Sequence, residues 1–215
     1  MMWWQAWGTP DMIKNRANVE HMTPQFITNG HLGGYIARSA SHPHGDWWTW
    51  CPDVWDWMAH TFKPMTAIDV GCGEGHAMRY MLDHCCIDTT GIDGMASARD
   101  AGVVPPLRIM VHDFERGAPE TTHPDVIWSC EFVEHVEAEY EDNFLAVFQR
   151  ARTAVLMTHA EPGQLGYHHV NCQPAEYWIA RMRGRGFLFD EEKTATSRRL
   201  APQTHWERSG LVFVR

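Results

Sequence analysis

The sequence lacks the patterns that mark three classes of protein. None of its six cysteines forms a C-x-x-C pair, and Cys85 and Cys86 are adjacent, which argues against a zinc ribbon or a disulfide framework. No segment approaches about 18 uncharged apolar residues, so no membrane-spanning helix is expected. The N-terminus lacks the basic start and the apolar core of a secretory signal. We therefore expect a cytoplasmic protein with reduced thiols and no membrane partner.

The chain also lacks an overall positive charge, because 18 Lys and Arg residues face 27 Asp and Glu residues, giving a net charge of −9 at pH 7. A uniformly basic surface for nucleic acid is therefore absent. The charge is uneven, since residues 181–215 hold eight cations and four acids. This segment is compatible with a small basic patch for a phosphate or an acidic substrate. The helix dipole alone also accounts for cations at the end of a helix.

Tryptophan, in contrast, is abundant and unevenly placed. The chain has 11 tryptophans, and eight of them fall in the first 57 residues. A chain of 215 residues with 44% hydrophobic residues is typical of one globular domain. We expect a Trp-rich extension over residues 1–63, irregular up to residue 45, and a separate regular domain over residues 64–215.

From residue 66 onward, short apolar segments alternate with helical segments. Strands without polar alternation, separated by helices, are typical of a mostly parallel sheet covered on both faces. Such sheets bind ligands at the carboxyl ends of their strands. The predicted strands are 66–70, 89–93, 108–112, 125–129, 154–158, 187–189 and 211–214, and the predicted helices are 52–62, 75–84, 137–152 and 174–184.

The first predicted strand ends in a glycine-rich loop. Gly71, Gly73 and Gly75 follow the spacing G-x-G-x-G, whereas a dinucleotide site has the spacing G-x-G-x-x-G. Glycines let the backbone turn tightly and let a ligand approach the start of the next helix. Asp69 and Glu74 would repel a pyrophosphate and suit an ammonium group. The loop therefore favours a ligand that carries a positive charge.

The next two predicted strands also end in residues suited to a nucleoside. Asp93, followed by Gly94, is placed to accept hydrogen bonds from the two hydroxyls of a ribose. After the third strand, His112 and Asp113 precede Phe114. An aspartate here can accept from an exocyclic amine while the aromatic ring covers one face of a base. These strand ends match S-adenosylmethionine better than NAD or ATP.

These residues carry a resemblance to a known family. Residues 67–76 resemble motif I of the class I S-adenosylmethionine-dependent methyltransferases, and residues 91–94 and 112–114 resemble their ribose and adenine motifs. The resemblance implies an α/β fold with a Rossmann-like, seven-stranded, mostly parallel sheet, helices on both faces and an antiparallel last strand. Residues 115–124 depart from the pattern, since they leave little room for the usual helix. The implied cofactor-binding residues are Asp69, Gly71, Cys72, Gly73, Asp93, Gly94, His112, Asp113, Phe114, Cys130 and Glu131, with S-adenosylhomocysteine as the product.

The fourth predicted strand leads into a second motif. Residues 129–136 resemble the E-x-x-E-H-V segment of many bacterial small-molecule methyltransferases, including the ubiquinone-pathway O-methyltransferases. The resemblance implies that Cys130 and Glu131 border the methyl-transfer site. His135 becomes a candidate general base, because a hydroxyl acceptor must lose its proton as the methyl arrives. Alternatively, Glu134 and His135 only cap the following helix and orient the loop.

Two later histidines complete the set of candidate catalytic residues. His168 and His169 follow the fifth predicted strand on the same side of the sheet, so we predict that they line the acceptor pocket with Glu131 and His135. The preferred prediction includes no metal. The alternative is that Glu131, Glu134 and His135, with His168 or His169, hold a metal, as a similar set does in small-RNA 3′-end methyltransferases. Such a metal would bind and polarise the hydroxyls of a terminal ribose.

The sequence predicts methyl transfer from S-adenosylmethionine to a small-molecule or glycan acceptor, at oxygen rather than nitrogen. The acidic net charge disfavours a nucleic acid, which needs many phosphate contacts. Two alternatives stay open: a metal-assisted ribose methyltransferase acting on an RNA terminus, and a non-catalytic scaffold that keeps the cofactor site. Trp47, Trp48 and Trp50 either form an aromatic lid or platform over the acceptor or pack on the edge of the sheet.

Overall fold

The computed structural model describes residues 25–215. It has an α/β architecture, and a small β-hairpin precedes the main sheet in the sequence. The strands are β1 Gln25–Thr28, β2 Gly34–Ala37, β3 Thr66–Val70, β4 Asp88–Asp93, β5 Ile109–Val111, β6 Val126–Ser129, β7 Ala154–Met157, β8 Leu188–Phe189 and β9 Leu211–Val214. The helices are α1 Pro52–Phe62, α2 His76–Asp83, α3 Ala96–Ala101, α4 Glu141–Phe148, α5 Ala175–Arg183, α6 Glu191–Arg199 and α7 His205–Ser209.

The main sheet has seven strands in the order β5-β4-β3-β6-β7-β9-β8. The pairs from β5 to β7 are parallel, and β9 runs antiparallel to both β7 and β8. This arrangement confirms the predicted seven-stranded, mostly parallel sheet with an antiparallel last strand. Because strands β3, β4, β5 and β6 are parallel, the loops that follow them all open at one edge, where a ligand is expected.

Both faces of the sheet are covered, as its apolar strands predict. Successive residues of a strand point to opposite faces, and on β6 the side chain of Ile127 is buried with α4 and α5. Its neighbours Val126 and Trp128 are buried on the other face with α1, α2 and α7. A strand buried on both faces needs no polar alternation, so the continuous apolar segments in the sequence are explained by this packing.

Helix α1 belongs to the packing of this sheet, although the sequence places it in the N-terminal extension. Val54, Trp55 and Met58 are buried in the same cluster as Ala67 of β3. The boundary between residues 63 and 64 stays a prediction. Three of the N-terminal tryptophans, Trp3, Trp4 and Trp7, lie outside the described residues.

Some predicted elements differ from the structure. The segment predicted as irregular up to residue 45 contains the antiparallel hairpin of β1 and β2, and helices α3, α6 and α7 were not predicted. Helix α4 is shorter than the predicted 137–152, because a 3-10 turn at Ala138–Tyr140 precedes it. The expected thin segment is confirmed, since residues 115–124 contain no α-helix and only a 3-10 turn at Phe114–Arg116 leads into them.

No helix in the described part of the chain is long and apolar enough to cross a membrane. This finding agrees with the lack of long apolar segments in the sequence.

We expect Trp206→Ala to destabilise the fold strongly. Trp206 is fully buried, its ring stacks on Trp128 with 4.6 Å between centroids, and its Nε1 donates to Ser197 Oγ at 3.1 Å. Removing a buried tryptophan costs about 3–5 kcal/mol of unfolding free energy. Urea unfolding measures this loss, with the fully exposed Leu107→Ala as a control expected to change it by less than about 0.5 kcal/mol. Equal stability of both variants would contradict the stacked core.

Candidate active site

The loop between β3 and α2 turns on three glycines. Gly71, Gly73 and Gly75 have φ angles of 78°, 51° and 80°, which lie in the left-handed region that side chains avoid. A Cβ atom on Gly71 would also lie 2.6 Å from Cβ of Phe132. The backbone N–H of Gly71 donates to the carbonyl of Ile92 at 2.8 Å. The glycines therefore let this loop fold closely against the ends of β4 and β6.

Asp93, at the end of β4, connects this glycine loop to the next loop. One oxygen of its carboxylate accepts from the backbone N–H of Gly73 and the other from that of Met95, both at 2.8 Å. Burial raises the pKa of Asp93, and the two backbone donors oppose this effect. Burial and the charge of Asp93 raise the pKa of Asp69 to about 8. A cation placed beside Asp69 would favour its ionised form.

A cavity of about 250 Å³ opens beyond the carboxyl ends of β3 and β6. The glycine loop forms one side of it, and the loop after β6 forms another. Most of the residues predicted for the methionine end of the cofactor and for catalysis meet here, although they come from loops distant in the sequence. The predicted residues that line this cavity are Asp69, Gly71, Cys72, Gly73, Cys130, Glu131, His135 and His169.

A second cavity, of about 40 Å³, holds the predicted adenine residues. It is lined by Gly94, His112, Asp113 and Phe114, and by His135, which also lines the larger cavity. The two cavities therefore adjoin at His135. Their residues follow β4, β5 and β6 in turn, so the cleft runs along the edge where the parallel strands end.

The β1–β2 hairpin lies across this cleft, and apart from its glycines no pattern in the sequence predicts it. In the hairpin loop, Nε2 of His31 lies 3.3 Å from Oδ2 of Asp113. Leu32 packs against Gly94, where a Cβ atom would lie only 3.0 Å from the leucine side chain. After β2, the backbone N–H of Arg38 donates to Glu74 at 3.2 Å. The hairpin thus contacts residues around both cavities.

Two groups in the described part of the chain bring three possible metal ligands together, His31 with Asp113 and Glu115, and a buried carboxylate with two histidines beside the large cavity. Donor atoms of Glu134, His135 and His169 lie within 4.8 Å of one another, whereas Glu131 and His168 do not join this group. Glu134 is fully buried, and neither of its carboxylate oxygens has a hydrogen-bond partner in the part of the chain that the structure describes. Burial raises the pKa of Glu134 to about 7 and lowers the pKa of His135 to about 4.

His168 has a different position from its neighbour His169. It does not line the large cavity, and its φ angle of 51° lies in the left-handed region. Its Nδ1 lies 3.2 Å from the carbonyl of His135, and Nδ1 of His135 lies 3.2 Å from the carbonyl of His168. This reciprocal contact joins the loop after β7 to the loop after β6, so the structure gives His168 a role in holding the loops.

Glu131 is held in a strained conformation at the wall of the large cavity. Its φ angle is 53°, and its backbone N–H donates to Oγ1 of Thr158 at 2.7 Å. Oε2 of Glu131 lies 3.3 Å from Nδ1 of His205, and Nε2 of His205 lies 3.7 Å from Oδ2 of Asp46. Sequence reasoning missed His205 and Asp46, because neither belongs to a motif.

The described tryptophans before residue 58 differ in their relation to the large cavity, which Trp50 and Trp55 line. Trp50 lines the large cavity and stacks on His44 with 3.8 Å between ring centroids. Trp55 is 1% exposed and packs edge-on against Trp128. Trp47 and Trp48 are 47% and 45% exposed and do not line the cavity. Of the three residues predicted as a lid or platform, only Trp50 lines the large cavity.

Comparison with known proteins identifies the family. A family model described as a methyltransferase domain matches residues 49–199. No curated protein matches the sequence. The fold is similar to that of magnesium protoporphyrin IX methyltransferase from Synechocystis PCC 6803, solved with S-adenosylmethionine bound. The two sequences are 13% identical, the TM-score is 0.54, and 76% of each chain is covered.

Two further solved structures share the fold. The plantazolicin methyltransferase BpumL, solved with S-adenosylhomocysteine and a desmethyl analogue, is 13% identical, with a TM-score of 0.53 over 76% of this chain and 82% of that chain. The [4+2]-cyclase SpnF is 16% identical, with a TM-score of 0.51 over 76% and 78% of the chains. Since the family model covers more than half of the chain, the protein belongs to the methyltransferase domain family, as its strand-end motifs predicted.

Proposed function

We propose that this protein transfers the methyl group of S-adenosylmethionine to a hydroxyl oxygen of a small-molecule or glycan acceptor. The observation that carries the proposal is the large cavity, where the glycine loop with Asp69 faces Glu131 and His135. The adjoining small cavity supplies Asp113 and Phe114 for the adenine. Cofactor and acceptor can therefore meet at the junction of the two cavities.

The charge of the large cavity supports an acceptor without phosphate groups. Four acidic side chains line it, those of Asp46, Asp69, Glu74 and Glu131, and no Lys or Arg among residues 25–215 does so. An anionic acceptor would enter without a counter-charge, which is costly in a partly buried site. Two of the similar structures are named for small-molecule acceptors, magnesium protoporphyrin IX and plantazolicin, which agrees with this proposal.

The bound cofactor supplies a sulfonium that makes its methyl group reactive, so the protein has mainly to position the acceptor and receive a proton. Two groups beside the cavity are candidates to receive this proton, His135 and Glu131. His135 donates its Nδ1–H to the carbonyl of His168, and its pKa is about 4. It is therefore a weak base at neutral pH. Burial and the nearby carboxylates of Glu134 and Asp46 raise the pKa of Glu131. We assign Glu131 as the proton acceptor, with His135 lining both cavities and orienting the ligands.

An acceptor screen tests the function directly. Purified protein is incubated with S-adenosylmethionine and separate pools of phenols, sugars, amines, carboxylic acids and RNA oligonucleotides, and S-adenosylhomocysteine is measured by mass spectrometry. We expect product with neutral hydroxyl compounds. Product with amines alone would overturn the oxygen assignment, and binding of the cofactor without product in every pool would favour the non-catalytic scaffold.

We expect Asp93→Ala to abolish tight cofactor binding. The variant loses the predicted contact with the ribose and leaves the N–H groups of Gly73 and Met95 without their carboxylate. Hydrogen bonds to charged groups are worth about 1.5–3 kcal/mol each, so the dissociation constant should rise at least about 10-fold. Calorimetry with S-adenosylhomocysteine measures the change. The exposed Asp100→Ala is the matched control, and equal affinities in the two variants would refute the ribose assignment.

A second candidate function is favoured by the buried cluster of Glu134, His135 and His169. A carboxylate without hydrogen-bond partners beside two imidazoles suits a divalent cation. Such an ion would polarise an acceptor hydroxyl, including one on the terminal ribose of an RNA. No Lys or Arg of the described residues lines the large cavity, which argues against the RNA form of this reaction.

Metal analysis separates the two candidates. If the cluster holds a catalytic ion, the purified protein should contain about one divalent metal per chain, and Glu134→Gln should lose it. The exposed Glu139→Gln serves as the control and should keep the metal. Emission spectrometry measures the metal content. Full methyl transfer after removal of all metal with a chelator would exclude the metal-assisted reaction.

A further inference from the structure

A histidine from the last helix lies between two carboxylates that line the large cavity. Nδ1 of His205 is 3.3 Å from Oε2 of Glu131, and its Nε2 is 3.7 Å from Oδ2 of Asp46. Both acids line the cavity, whereas His205 does not. His205 therefore contacts the site only through these two side chains.

The imidazole is confined from several directions. His205 begins α7, and the hydroxyl of Thr204 caps this helix by accepting from the backbone N–H of Glu207. The ring of Trp48 meets the imidazole edge-on with 5.8 Å between centroids. Only 15% of the His205 side chain is exposed. A ring with so little freedom can hold its neighbours in one arrangement.

The two carboxylates are also anchored by their own elements. Asp46 accepts from the backbone N–H of Trp48 at 2.9 Å, in the turn before α1. Glu131 is anchored by Thr158, whose hydroxyl donates to Oε1 at 3.3 Å and accepts from the Glu131 backbone. This contact leaves Oε2 to face His205. Two acids from distant parts of the chain thus approach the same imidazole.

The charges of this group explain why a histidine suits the position. Two carboxylates near each other repel, and the charge of Asp46 contributes to the raised pKa of Glu131. An imidazole has a nitrogen on each side of its ring, so one side chain can approach both carboxylates at once. A glutamine in its place offers only one end as a donor. The bridge between the two acids is therefore specific to the imidazole.

We propose that His205 is a positioning residue for methyl transfer, which bridges Glu131 and Asp46 and aims the free side of the Glu131 carboxylate into the cavity. This inference rests on the proposed function, since it assigns Glu131 the acceptor's proton. His205 and Asp46 together support that carboxylate. These contacts are the His205 bridge.

In the methyl transfer that this bridge supports, the acceptor oxygen forms a bond to the methyl carbon while the bond between that carbon and the sulfonium sulfur breaks. The electron pair of the broken bond stays on sulfur, which becomes the neutral thioether of S-adenosylhomocysteine. The hydroxyl proton passes to Glu131, so the carboxylate must point at the acceptor oxygen when the methyl moves. A carboxylate free to rotate would lose this alignment and slow the step.

The first experiment examines the bridge without any acceptor. Protein labelled with ¹⁵N-histidine and saturated with S-adenosylhomocysteine is studied by NMR. We expect an imidazole N–H resonance that is protected from solvent exchange and that disappears in His205→Gln. The protection should be lost in Asp46→Asn and in Glu131→Gln, while the exposed His60→Gln leaves the resonance in place. A resonance unchanged in both acid variants, or absent from the unaltered protein, would overturn the bridge.

The second experiment measures the step itself, with catechol as the probe acceptor. We expect His205→Gln to lower kcat roughly 10-fold or more and to leave the KM for S-adenosylmethionine unchanged, because the bridge acts on the proton-accepting group. Melting temperature and affinity for S-adenosylhomocysteine serve as folding controls, and His60→Gln should retain full kcat. Unchanged kcat in a folded His205→Gln would refute the positioning role. If the unaltered protein does not methylate catechol, the oxygen assignment loses support, and the NMR result decides on the bridge.

Discussion

The rest of the candidate site depends on the carboxylate of Asp93. Its two oxygens accept backbone N–H groups from the loops after β3 and β4, so one side chain holds together two turns that the chain builds separately. Gly73 can donate to this carboxylate because its φ angle of 51° lies in the left-handed region, which glycine adopts readily. The packing of the two loops therefore depends on one carboxylate, the same group to which we assign the ribose contact.

The sequence predicts the sheet well, because its strands are encoded locally. The residues proposed for the cofactor end are also encoded locally, and their role in binding stays a prediction. Apolar strands buried on two faces leave a continuous pattern, and the glycines and acids follow these strands directly. Helix α6 was not predicted, because its sequence carries no such local pattern. Its sequence EEKTATSRR has no apolar stripe, and its clearest signal is Asp190, which caps its first turn by accepting from Lys193.

The acceptor end could not be predicted in the same way, because its parts come from distant segments. Asp46, Glu131 and His205 are joined only by the packing of α7 against the turn before α1. Glu131 belongs to a motif, but Asp46 and His205 are ordinary polar residues whose spacing marks no chemistry. The hairpin was equally hidden, since strands of four residues among glycines carry little periodicity.

The placement of that hairpin also bears on how ligands are exchanged. His31 and Leu32 line the small cavity, so they cover part of the adenine site that we propose there. The contact of His31 with Asp113 is exposed, and exposed ion pairs contribute only about 0–1 kcal/mol. The tip of the hairpin therefore covers the cavity through few polar contacts. Under the proposed function, a nucleoside in this cavity lies beneath the tip, so its exchange depends on how firmly the tip is held.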